Sequence, residues 1–196
     1  MKYSPILYQT DMIRAYQNDL KTMTRRVMRR QPDNRYHSPL ILHDDVWAFQ
    51  KPNQGVEPFI IRCPYGQVGD KLWVREAWQR RADGIIEYRA RSKGFVALSG
   101  WRPSIHMFRK DSRFTQTLTG VRAERLQDIS LEDCLAEGIS RYWYGSAIVA
   151  SDEDLIRRYM LLWDSINAKR GYSWESNPYV WCLSFLKYSE ELKLSK

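Results

Sequence analysis

A chain of 196 residues, 43% of them hydrophobic, is long enough to bury a core and too apolar to stay disordered over most of its length. A formal net charge of +8 favours anionic partners: nucleic acid, nucleotides or phosphates. Three widely spaced cysteines (Cys63, Cys134, Cys182) form no CxxC pair, and His37, His43 and His106 show no ligand spacing, which argues against a disulfide framework, a zinc site or a catalytic metal; no cofactor is expected.

No apolar run approaches the ~20 residues of a membrane span, and the first five residues do not open a signal peptide, so the cytoplasm is the expected compartment. Eight Trp and twelve Tyr serve equally as core and as stacking surfaces for bases.

In chain order, residues 4–8 form a short apolar strand. Thr10 and Asp11 then offer an N-cap to a helix whose Met12, Ile13, Tyr16 and Leu20 recur at helical spacing. The helix should stop around residues 18–20, and from Thr22 the pattern alternates as a strand does. Residues 30–54 read as a loop-rich excursion punctuated by Pro, Asp and Asn, with short strands at 41–42 and 46–49. A strand at 58–63, a turn at 64–70 and a strand at 71–78 follow. In the last of these Leu72, Val74, Glu76 and Trp78 share one face, and Trp73, Arg75 and Ala77 the other. Burial of both faces would make it an interior barrel strand.

A strand at 85–91, a Pro-containing loop at 101–109 and a long strand at 113–125 come next. Ser130 caps a short helix ended by Gly138. The segment 152–166 carries the clearest apolar stripe: Leu155, Ile156, Tyr159, Leu162, Trp163 and Ile166. A final strand spans 179–186, and a charged tail begins at Ser189. The sum is an α+β chain: a small, mostly antiparallel β-barrel with flanking helices and loop insertions. One domain occupies residues 1–188, with insertions at about 30–57 and 79–103 and a tail at 189–196.

The junction Asn18-Asp19-Leu20-Lys21-Thr22-Met23-Thr24-Arg25-Arg26 concentrates an amine, hydroxyls and guanidiniums where helix gives way to strand. It is read as one wall of a small-molecule or nucleotide pocket. On residue types alone, a solvated strand face is the leading reading of Lys21, Thr24 and Arg26. Arg109 and Arg113, on either side of Ser112, have the spacing of a phosphate clamp or of ordinary loop charges.

Three stretches together resemble the ASCH family, which has a PUA-like β-barrel fold. These are the junction with its Lys21-Thr22-Met23-Thr24-Arg25-Arg26, the segment Gly69-Asp70-Lys71-Leu72-Trp73-Val74-Arg75-Glu76, and Ala136-Glu137-Gly138 followed by Leu162-Trp163-Asp164-Ser165-Ile166-Asn167 and Asn177-Pro178. The pattern is most similar to the longer phage and prophage members. One branch of that family hydrolyses N4-acetylcytidine. The resemblance places its lysine, threonine and glutamate on Lys21, Thr24 and Glu137, and its signature arginine on Arg26. Where the signature has glycine, this chain has Asp19, a residue that tolerates a left-handed turn.

The implied activity is metal-independent amide hydrolysis of N4-acylated cytosine or cytidine. Thr24 would be the nucleophile, and Lys21 a base once burial lowers its pKa. Glu137 would return a proton to the leaving amine or activate water. Lys21 and Thr24 can converge only because Lys21 sits at the helix-to-strand corner. Arg26, Tyr65, Trp73, Glu76 and Arg109 are the candidate substrate-binding residues, Tyr65 and Trp73 (with Trp78) as stacking rings. The alternative implied by the same resemblance is a PUA-like RNA-binding module, possessing or lacking ribonuclease activity. For that reading the arginines from Arg25 to Arg30 would contact phosphates. The expected partners are therefore a nucleoside or base and, in the alternative, RNA, with no membrane and no metal.

Overall fold

The computed structural model describes residues 1–33, 36–50, 57–92, 100–142 and 150–187. The strands are β1 (Tyr3–Leu7), β2 (Met23–Val27), β3 (His37–His43), β4 (Val46–Gln50), β5 (Phe59–Arg62), β6 (Lys71–Arg75), β7 (Trp78–Arg80), β8 (Ile86–Tyr88), β9 (Thr115–Arg125) and β10 (Tyr179–Lys187). The helices are α1 (Thr10–Gln17), α2 (Leu131–Ala136) and α3 (Asp152–Asn167). The architecture is mixed α+β with mostly antiparallel sheets. A five-stranded sheet runs β1-β6-β9-β10-β2, with only β1 and β6 parallel. A three-stranded sheet, β3-β4-β5, and the hairpin β7-β8 complete it. No described helix is long and apolar enough to cross a membrane.

Strand β10 explains its own continuous apolar run. Tyr179, Trp181, Leu183 and Phe185 face one apolar cluster with Ile6, Leu72, Val74 and Leu118, while Val180 and Cys182 face a second with α2 and α3. A strand buried on both faces needs apolar residues at every position. Strand β4 of the three-stranded sheet belongs to the first cluster, with Phe59 and Ile61 of β5 packed against it, while Leu40, Ile41 and Leu42 of β3 are exposed. Trp47 meets Trp181 edge-on at 5.8 Å, and Phe49 meets Tyr179 at 4.8 Å. The first insertion thus supplies core, where the sequence reads as a loop-rich excursion.

The single strand expected over 71–78 is two strands in two sheets. The pairing of β6 with β9 ends at Trp73, Ser112 Oγ donates to Val74 O at 2.8 Å just beyond it, and Trp78 pairs with Tyr88 and Arg102. Leu72, Val74, Glu76 and Trp78 are all buried as expected of one face. The other face is not core: Trp73 is half-buried beneath the Arg75 guanidinium at 5.3 Å. The strand expected at 85–91 shortens to β8 followed by a 3-10 turn, Arg89–Arg91. The tail at 189–196, residues 51–56 of the first insertion and 93–99 of the second lie outside the described residues.

Candidate active site

Two helix ends, set side by side, build the site. Helix α1 closes with Leu20 N donating to Ala15 O and Asp19 N to Tyr16 O, the bond pair of a Schellman motif. Asp19 holds the left-handed position at φ 56°, where glycine is the usual occupant. Helix α2, capped by Ser130 Oγ accepting from Asp133 N, closes with the same bond pair: Ile139 N to Cys134 O and Gly138 N to Leu135 O. Gly138 sits at φ 93°, and a Cβ there would lie 2.8 Å from Ala15 Cβ and 3.3 Å from Lys21 Cβ. Only glycine lets the two ends approach this closely.

The approach brings Lys21 opposite Glu137 in an isolated antiparallel bridge, and Thr22 N donates to Ala136 O at 2.8 Å. Lys21 Nζ donates to Glu137 Oε2 at 2.6 Å and to Glu137 O at 2.8 Å. The other carboxylate oxygen, Oε1, accepts from the Arg25 backbone N–H. The Lys21 side chain is fully shielded from solvent. Burial lowers its pKa from the ordinary lysine value; Glu137 opposes that shift, and Arg26 and Arg25 reinforce it. Beneath the amine lies the Tyr8 ring, with Lys21 Nζ and Arg26 Cζ each 5.5 Å from its centroid. Tyr8 is itself held by Gln116 Oε1 at 3.2 Å.

Thr24, on β2 opposite Leu183 of β10, is buried and lines an open cleft of ≈1160 Å³ together with Glu137, Arg26 and Tyr65. The ends of β1 and β2, the start of α1 and one face of α3 form its walls. Four of the eight candidate residues therefore line one cleft, Thr24, Glu137, Arg26 and Tyr65, and a fifth, Lys21, does not line it but is bonded to Glu137 from behind.

The other three lie elsewhere. Glu76 is buried in a two-pronged ion pair with Arg113, at 2.7 and 2.8 Å, which a lone buried carboxylate requires. This also dissolves the phosphate clamp read from Arg109 and Arg113. Arg109 lies 3.7 Å over the Tyr3 ring and is not among the described residues lining the cleft. Trp73 stacks under Arg75, and Trp78 is core.

Sequence reasoning missed Tyr8, Tyr159 and Trp163. The last two are buried, as an apolar stripe requires, yet they also border the cleft. Their four-residue spacing shows that they share a helix face, but not that the face meets a cavity. Among the described residues no group of three or more His, Cys, Asp and Glu is placed to hold a metal. Comparison with protein-family models, with curated proteins and with solved structures finds no match.

Proposed function

We propose that this chain is an ASCH-type, PUA-like hydrolase that removes the acyl group from N4-acylated cytidine compounds. The observation that carries the reading is the buried Lys21–Glu137 pair, whose glutamate lines the same cleft as Thr24. A barrel is supported by Arg26, which lies on edge strand β2 and donates through Nη2 to Leu7 O of the other edge strand, β1, at 2.7 Å.

Hydrogen-bond counting supports the base role. A neutral amine has two N–H donors and one lone pair, whereas an ammonium has three donors. Lys21 donates twice to Glu137, so its neutral form keeps a lone pair for a proton. In the proposed cycle, Thr24 Oγ1 bonds to the acyl carbon as its proton passes to Lys21 Nζ. The resulting ammonium faces the developing oxyanion. The C–N4 bond then breaks, and the proton moves from Lys21 through Glu137 Oε2 to N4, releasing the cytidine amine. Water attacks the threonyl ester and gives its proton to Lys21. Lys21 returns it to Oγ1 as the carboxylic acid leaves.

Of the arginines behind the RNA-binding alternative, Arg25 is withdrawn into ion pairs with Glu124 and Asp133 and has no exposed side-chain surface. That reading is the weaker one. Incubation with N4-acetylcytidine, followed by loss of the acyl chromophore, is expected to show turnover that Thr24→Ala and Lys21→Ala reduce by at least about a hundredfold. No turnover by the wild-type protein, or full turnover by both variants, overturns the proposal.

A further inference from the structure

The cleft exceeds the roughly 300–1,000 Å³ typical of small-molecule sites. Of the arginines that line it, Arg25 is paired with Glu124 and Asp133, whereas Arg26, Arg29 and Arg170 make no ion pair with a described carboxylate. Arg26 Nε is shut off from solvent without a hydrogen-bond partner, although Nη2 of the same group is satisfied by Leu7 O. A buried N–H without an acceptor is a site awaiting one.

Tyr65 is the point these groups share. Burial raises its phenol pKa, and Arg26, Arg29 and Arg170 all pull against that rise. The N-terminus of α1 also opens on the cleft, but the Asp11 carboxylate in its first turn opposes the positive end of the helix, so the arginines and not the helix supply the site's charge.

We infer that Arg26, Arg29, Arg170 and Tyr65 form a phosphate subsite, so that the compound taken into the cleft is a phosphate ester of cytidine and not the free nucleoside. This rests on the hydrolase reading for its cytidine part. Guanidiniums match phosphate oxygens in pairs, and the Tyr65 hydroxyl adds a further donor.

The test is a binding measurement and does not depend on turnover. The full chain is titrated calorimetrically at low salt with cytidine, cytidine 5′-monophosphate and hexacytidylate. The monophosphate is expected to bind at least about tenfold more tightly than cytidine, a preference that falls toward unity in Arg29→Gln/Arg170→Gln. Arg62→Gln removes the same type of charge from a residue that does not line the cleft, and is expected to keep the preference.

Hexacytidylate distinguishes the source of the phosphate. Tighter binding than the monophosphate assigns the subsite to an RNA backbone, and equal or weaker binding to a free nucleotide. Absence of a monophosphate preference, or its survival in Arg29→Gln/Arg170→Gln, overturns the subsite. A monophosphate preference with no hydrolysis of any N4-acetylated compound overturns the hydrolase and leaves the subsite. Hydrolysis without the preference does the reverse.

Discussion

In the proposed hydrolase the residue that decides the chemistry is Lys21, because its amine would serve as a base only without its proton. Burial is the largest influence on it and lowers its pKa, so the neutral form gains population as pH rises through that lowered value. The expected profile of kcat/KM for N4-acetylcytidine climbs with pH and levels off below the ordinary lysine value of about 10.4. A rate indifferent to pH between about 6 and 10, measured as roughly constant kcat/KM, removes Lys21 from the base role. The same residue has a structural part. Lys21→Met strands a buried carboxylate, and is expected to destabilise the fold by about 3–5 kcal/mol in urea titration, most of it recovered when Glu137→Gln is added.

At this scale residue types alone do not pair the site: Lys21 and Thr24 read as a solvated strand face, and Glu137 joins them only through the family resemblance. Glu76, Trp73 and Arg109 are unreadable because each is claimed by a neighbour far along the chain or on the same strand's outer face. Glu76 has Arg113, Trp73 has Arg75, and Arg109 has Tyr3.

Between elements, the site depends on how closely the ends of α1 and α2 meet, and Gly138 sets that distance. Gly138→Ala would combine an unfavourable positive φ with a 2.8 Å contact to Ala15 Cβ and a 3.3 Å contact to Lys21 Cβ. Gly84, in the β7–β8 turn, has a similar φ of +85°, but a Cβ added there would meet nothing within 4 Å. Each alanine is expected to lower stability by about 1–3 kcal/mol through backbone strain. Only Gly138→Ala is expected to lower kcat/KM as well, by about tenfold or more, because it displaces the chain at Lys21. Equal kcat/KM for the two variants would mean that the helix ends do not position the base. The two stops themselves are readable from Asn18-Asp19 and Glu137-Gly138. Their adjacency is not, since nothing local in either segment encodes the other.

Across the whole molecule, the lesson lies in residues 36–50, read as part of a loop-rich excursion with short strands at 41–42 and 46–49. The strands are there, but the core role of the second is hidden because β4 is buried at four successive positions, Val46, Trp47, Ala48 and Phe49. Such a run has no alternation to detect. In the fold these residues complete a cluster that also contains Ile6 of β1, Leu72 of β6 and Trp181 of β10. A cluster spanning both sheets should melt as one unit. Trp47→Ala removes a ring set edge-on to Trp181 and is expected to lower the unfolding free energy by about 3–5 kcal/mol. The loss should appear at the same denaturant midpoint in far-UV circular dichroism and in tryptophan fluorescence, as one cooperative transition requires. A loss within about 0.5 kcal/mol, the usual effect of a surface substitution, would mean that the three-stranded sheet only decorates the five-stranded one. The cleft would then owe its shape to the larger sheet and its helices alone.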